Sequence, residues 1–341
     1  MEREHFGHLG DTSQNVLIGT FWEVSPKCPK CSRPQIKPPV KLQFIWKDFI
    51  MELSYTVTGS DISIKQILKE HFHMSERYIL KLKRNECIYL NNNVANIWNP
   101  IFPNDCLEII DEINEDNSNI IPNPNIPLSI IYEDEYILVI NKQPGLPIHP
   151  SMAHYTDSLS NGIKYHFDKI GLNKKIRPVN RLDKDTSGLV IFAKNEYIQE
   201  CLIKQMKLGN FKKKYIALLE GKLEQKSGTI NAPISRKEGS IIERCINTKG
   251  ETSITHYKVL KELENFSEVE FELETGRTHQ IRVHSKHIGH PILGDSLYGK
   301  SSDLIPRQAL HAYYICFEHP ITQKKIEFKI GLPNDMQELL T

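Results

Sequence analysis

Apolar positions along the chain change period several times, and the changes mark out its elements. After Asp61, the residues Ile64, Ile67 and Leu68 recur at helical spacing. A second helix is predicted from Ser75, whose hydroxyl can cap free amide groups, with Tyr78, Ile79 and Leu82 on its apolar side. IYLNNNV then reads as a strand running into an Asn-rich turn, and PNDCLEII as a turn and a closing strand, because Asn tolerates the left-handed backbone. Farther on, VIFA, KYIALLEG, THYKVLKEL, SEVEFELE and KIEFKI have the composition of buried strands. Helices are predicted between them, around Asn195–Leu208 and Thr278–Ile288. No repeat of solenoid period is present. The fold class expected is α+β: a larger domain with a mixed, mostly antiparallel sheet, preceded by a small α/β module.

Composition sets the boundaries. Residues 1–50 read as a poorly ordered extension, since Ser25–Val40, SPKCPKCSRPQIKPPV, holds five prolines and no period. The small module spans 51–112, an acidic Asn/Pro-rich linker (INEDNSNIIPNPNIP) spans 113–127, and the larger domain spans 128–341. The linker lacks apolar residues at a regular period, so the module is expected to be mobile against the larger domain. No run approaches the ~20 apolar residues that span a bilayer, and the polar start MEREHFGHLG is unlike a secretory signal. Seven cysteines is an odd number and does not make a disulfide framework. A cytoplasmic monomer is expected, with no membrane partner.

A net charge of +1 makes no case for nucleic acid, so such a case rests on where charge is clustered. Arg77, Lys81 and Arg84 fall at i, i+4 and i+7 and form one basic stripe on the second helix. Lys212, Lys213 and Lys214 precede Tyr215 and form a candidate phosphate-contacting rim. Either cluster by itself is ordinary solvated surface. In RPVNRLDKDTSGLVIFAK, Asp183 sits in a polar loop leading into a buried strand, with Arg181 two residues before it. Loops on rigid scaffolds are where catalytic groups concentrate. Arg282 lies about 100° round its predicted helix from the core-facing Ile281, an orientation that can carry it toward the same sheet edge. Three rival readings remain open: Asp183 and Asp185 as a glycosidase pair, the cluster His279, His284, His287 and His290 as a metal site, and Cys28 and Cys31 with His5 and His8 as zinc ligands.

Taken in order, YEDEYILVINKQPGLPIHPS, NRLDKDTSGLVIFAK, KKYIALLEG, TGRTHQIRVHSKHIGHPILGDSLYG and RQALHAYYICFEHP resemble the RluA family of pseudouridine synthases. The small module, with its basic second helix, YLNNN turn and PNDCLEI close, resembles the RNA-binding domain of ribosomal small-subunit protein four, although that family usually has Gly where Asn92 and Asn104 stand. The resemblance implies isomerisation of uridine within structured RNA, large-subunit ribosomal RNA first and transfer RNA second, with no cofactor and no metal. It aligns Asp183 with the catalytic aspartate, Tyr215 with the tyrosine that packs on the target base and helps remove its proton, and Arg282 with the arginine that pairs with the carboxylate. Arg181 aligns with the arginine that fills the space left by a flipped nucleotide. Arg77, Lys81, Arg84 and Lys212–Lys214 are the expected RNA contacts. Asn180 stands where many members have His. The alternative from a different class is a catalytically inactive RNA-binding or ribosome-assembly factor.

The residue types suit that chemistry. The bond from ribose to uracil N1 breaks and is remade through carbon 5, so no atoms are gained or lost. An ionised carboxylate stabilises the electron-poor sugar, bonds to it or removes a ribose proton, and a nearby guanidinium favours an ionised carboxylate.

Overall fold

A computed structural model of the chain describes residues 50–341 apart from 60 and 62. Cys28, Cys31, His5, His8 and the proline-rich segment lie outside the described residues. No described helix is long and apolar enough to cross a membrane.

Local chemistry shapes the first unit. Strand β1 (Met51–Thr56) is followed by a short helix, α1 (Ile64–Gln66), whose continuation Ile67–His71 widens to π geometry. Helix α2 (Glu76–Arg84) starts where the Ser75 hydroxyl accepts the Tyr78 amide at 3.2 Å. Strands β2 (Ile88–Leu90), β3 (Asn93–Val94) and β4 (Cys106–Asp111) complete an antiparallel sheet in the order β1-β4-β2-β3. Asn92 and Asn104, at the positions where the look-alike family carries Gly, both have positive φ, of 66° and 72°. Asn enters that region more easily than most side chains do.

The larger unit is built on one long sheet. In chain order its elements are β5 (Ile130–Glu133), β6 (Ile137–Lys142), α3 (Leu159–Lys169), β7 (Arg177–Pro178), β8 (Ser187–Ala193) and α4 (Glu196–Lys207). There follow β9 (Lys212–Glu220), β10 (Ser227–Asn231), the hairpin β11 (Ile234–Arg236) and β12 (Arg244–Ile246), and β13 (Ile254–Glu262). The last are β14 (Phe266–Leu273), α5 (Gln280–His287), β15 (Leu310–Glu318), β16 (Lys325–Lys329) and α6 (Asn334–Gln337). The sheet runs β10-β13-β14-β9-β15-β8-β6-β5, with β7 on β8 and β16 on β15. Its pairs are antiparallel except β8–β15, as the α+β reading expects. All seven residues of β8 are buried, because α3 covers one face and α4 the other. That double cover is why β8 reads as a continuous apolar run instead of an alternating one.

The mobile module expected from its linker is not what the structure shows. One apolar core runs from Met51, Tyr78 and Ile79 into Tyr197, Ile198 and Leu202. Tyr78 stacks on Tyr197 at 6.1 Å, and Ser75 donates to Glu200 at 2.7 Å. The linker is pinned as well. Glu115 takes both Arg177 nitrogens, at 2.5 and 2.6 Å, and the Lys81 ammonium at 2.7 Å. Asn117 donates to the Lys174 carbonyl and Asn161 to the Ile121 carbonyl. The signal missed was chemical: polar residues without a period still dock a chain when each finds a partner.

Burial raises the Glu115 carboxyl, but its hydrogen bonds to Arg177 and Lys81 outweigh this and lower it to about 2, from an ordinary 4.5. A carboxylate lowered on folding stabilises above its unfolded pKa, and that contribution is lost as pH falls toward the folded value. Glu115→Gln is therefore expected to cost on the order of 2–3 kcal/mol at neutral pH and to raise hydrogen exchange across residues 51–111. Below pH 4.5 the melting temperature of the wild type should fall faster than that of the variant, until the two meet near pH 2.

Candidate active site

The loop ahead of β8 is held on every side. The Asn180 amide donates to the Leu189 carbonyl at 3.0 Å and its oxygen accepts the Ile191 amide at 2.9 Å, so the side chain does the work of a neighbouring strand. This is a structural role for the residue that stands in place of His. The Thr186 amide closes a turn onto the Asp183 carbonyl at 3.1 Å. Lys142 ends β6 with its side chain fully buried and donates to the carbonyls of Gln143, Leu146 and Lys184 at 2.8, 2.9 and 2.8 Å. Arg307 donates to the Asp185 carbonyl at 3.2 Å and pairs with Asp335. Gly188 closes the frame: at φ +117°, a Cβ there would lie 2.3 Å from the Ala312 carbonyl oxygen, where β8 meets β15. Only glycine permits that approach.

Asp183 projects from this frame with its side chain 26 % exposed, and Arg282 reaches it from α5 at 3.1 Å (Nη1 to Oδ2). The same guanidinium grips Asp295 with Nε at 2.7 Å and Nη2 at 2.8 Å. Asp295 is fully buried and also accepts the amides of Leu297 and Tyr298. The Tyr298 ring lies 5.0 Å from the guanidinium carbon. Burial opposes the arginine's charge, but the hydrogen bonds and charge of Asp295, with Asp183 behind them, hold it well above the usual arginine range. His279, in the left-handed region at φ 58°, bonds the Tyr298 hydroxyl and brings Nε2 to 3.8 Å from Asp183.

Tyr215 lies on β9 beneath the cleft and is 6 % exposed. Burial, then the negative charge of Asp183, push its phenol well above the ordinary range, so it stays protonated at neutral pH. Strand alternation divides the three preceding lysines. Lys213 shares the face of Tyr215 and lines the cleft beside Gly276, and burial pushes its ammonium down. Lys212 and Lys214 face the other way, toward Glu272 at 3.3 Å and Glu270 at 3.1 Å. Arg181 is exposed on the cleft wall.

The cleft that Asp183, Tyr215, Lys213 and Arg181 share has a volume of about 1100 Å³. That exceeds the ~300–1,000 Å³ of a small-molecule pocket and leaves room for a nucleotide and its neighbours. The basic stripe of α2 is not uniform. Arg77 and Arg84 are exposed, while Lys81 is committed to Glu115 and Glu196, at 2.7 and 3.2 Å. The histidines of the second motif are occupied separately: His284 by Thr255 and the Ala232 carbonyl, His290 by the Glu220 carbonyl. Among the described residues, no three His, Cys, Asp or Glu side chains gather as a metal site.

Sequence reasoning brought Asp183, Tyr215 and Arg282 together but missed Lys142, Asp295 and Tyr298. A lysine closing an apolar strand, and an aspartate after glycine in LGDSLYG, were the available signals. Lys142→Met should strand three carbonyls, at a cost on the order of 2–3 kcal/mol. It should also slow single-turnover chemistry ~10–100-fold by letting Asp183 drift, with RNA affinity retained. Thermal denaturation and rapid-quench kinetics check both.

Residues 136–287, which include Asp183, Tyr215 and Arg282, match the family described as RNA pseudouridylate synthase. The chain is 44 % identical over 215 residues to the uncharacterized RNA pseudouridine synthase YjbO of Bacillus subtilis, spanning 63 % of this chain and 76 % of that one. It is 40 % identical over 232 residues to ribosomal large subunit pseudouridine synthase D of Buchnera aphidicola, spanning 63 % and 73 %. The solved structure of human RNA pseudouridylate synthase domain containing 1 matches with a TM-score of 0.50 at 28 % identity, over 63 % of this chain and 93 % of that one.

Proposed function

The chain belongs to the RNA pseudouridylate synthase family and isomerises uridine in RNA, and on that premise we propose that its substrate is large-subunit ribosomal RNA and that Asp183 carries the reaction. The observation behind this reading is the 3.1 Å contact of Asp183 with a guanidinium locked by the buried Asp295, at the edge of an open cleft.

In this reading the target uridine leaves the RNA stack, at a cost of a few kcal/mol, and enters the cleft. Arg181 fills the gap it leaves. Arg282, fixed from behind by Asp295, aims the Asp183 carboxylate at the ribose, where the negative charge stabilises the sugar as the bond to N1 breaks. The detached uracil turns in its own plane against the Tyr215 ring. The Tyr215 ring supports the base face, and the carbon 5 proton leaves to an acceptor at the site or to water. Lys213, aimed into the cleft, contacts phosphate, as do the exposed Arg84 and Arg77, the latter held only by a 3.5 Å pair with Glu196; Lys212, Lys214 and Lys81 serve carboxylates more closely. The small module acts as an RNA-binding unit like that of ribosomal small-subunit protein four. The enzyme works as a monomer in the cytoplasm.

Pseudouridine mapping across cellular RNA, with and without the gene, tests the substrate. One or more large-subunit sites should vanish with the gene. Loss confined to transfer RNA overturns the ribosomal assignment, and no lost site in any RNA counts against the enzymatic role.

A further inference from the structure

Where the module docks on the catalytic unit, the junction is itself a groove. A cavity of about 560 Å³ opens there, with Arg84 of α2 on one wall and Lys175, in the segment entering β7, on the other. Lys175, Arg177 and Gln199 line both this cavity and the active-site cleft, so the two depressions join in one trough whose lining includes Asp183.

Charge along the trough is unevenly spent. The junction lining carries five cationic side chains against three carboxylates. Glu115 holds Arg177 and Lys81, Glu196 holds Lys81 and Arg77, and Asp116 turns onto the Ser118 amide at 2.8 Å. Among the described residues, neither the Arg84 guanidinium nor the Lys175 ammonium has an ion-pair partner, and both residues are exposed. Lys175 has only the longer-range field of Asp116 against it, so the least compensated positive charge of the groove comes from one side chain of each unit.

We propose that this junction groove binds the sugar–phosphate backbone of the substrate RNA beside the everted uridine, with Arg84 and Lys175 each taking one phosphate. The inference rests on the RNA reading above and adds a selection rule to it. A module on a free linker raises local concentration and accepts many spacings. A module stacked through Tyr78 on Tyr197 and clamped by Glu115 holds its phosphate contacts at one distance from Asp183. The groove thus selects RNA whose backbone passes the junction at that spacing from the target.

The test uses the full chain, transcribed large-subunit ribosomal RNA as probe, and Arg84→Ala and Lys175→Ala, singly and combined. Neither residue touches Asp183, Tyr215 or Arg282, and melting temperatures should match the wild type. Each single variant should weaken RNA binding ~3–10-fold at moderate salt and lower the slope of log affinity against log salt by about 0.7–0.9. Single-turnover rates at saturating RNA should stay within about twofold, and Arg84→Lys should keep the wild-type slope. An unchanged affinity and salt slope in the double variant overturns the groove. Because binding is measured directly, loss of slope without pseudouridine in any RNA would count against the enzymatic reading alone.

Discussion

Asp183→Asn is expected to lower pseudouridine formation by at least ~10³-fold while leaving RNA affinity within about twofold. The change is nearly isosteric, and the amide oxygen still accepts from Arg282 Nη1, so the loop keeps its shape. Lys142, Arg307 and the Thr186 turn hold that loop through backbone carbonyls and do not depend on the carboxylate. What disappears is the negative charge where the sugar becomes electron-poor. Single-turnover assays by mass spectrometry, paired with filter binding, separate the two quantities. Normal turnover in this variant removes Asp183 from the mechanism, and loss of binding together with activity would turn the residue into a structural or RNA-contacting one.

The second large effect belongs to Arg282. Arg282→Met should destabilise the chain by ~3–5 kcal/mol, because the fully buried Asp295 would keep two backbone amides and lose the guanidinium. Activity should fall as well, since among the described residues no other side chain lies within hydrogen-bond distance of the Asp183 carboxylate; His279 stands at 3.8 Å. The two losses are separable. Adding Asp295→Leu removes the stranded charge and should recover most of the stability without recovering activity. Recovery of both would mean that Arg282 acts through folding alone, and a single variant as stable as the wild type would show that Asp295 neutralises at little cost.

Much of the architecture follows from local rules visible along the chain. Ser75 caps α2 and Asn195 caps α4 by accepting amides three residues on, at 3.2 and 2.8 Å. The apolar runs of β8 and β9 announce strands, and β15, within RQALHAYYICFEHP, carries a similar aromatic and apolar run, whereas the hairpin β11–β12 carries no comparable signal. The loop position of Asp183 was legible because a polar turn led straight into a buried strand. Helix α5 shows the limit. Gln280, Arg282, His284 and Ser285 are all buried, so its polar sequence predicts a solvated helix; partners distant in the chain, such as Thr255, Ala232 and Asp295, make its burial possible.

The module illustrates the same division. Its helices, turns and basic stripe were readable, but its docking was not, because Glu115, Glu196 and Glu200 look like solvated charge until Arg177, Lys81 and Ser75 are brought to them. By itself the sequence determined most of the strands, the loop position of Asp183 ahead of β8, and the residue types that flank it along the chain. Tertiary structure alone decided which lysines face the cleft, that Lys142 and Asp295 brace it from inside, and that the module is held in place. Periodicity and capping are set by residues a few positions apart, whereas ion pairs and burial depend on atoms that meet only after the chain has folded.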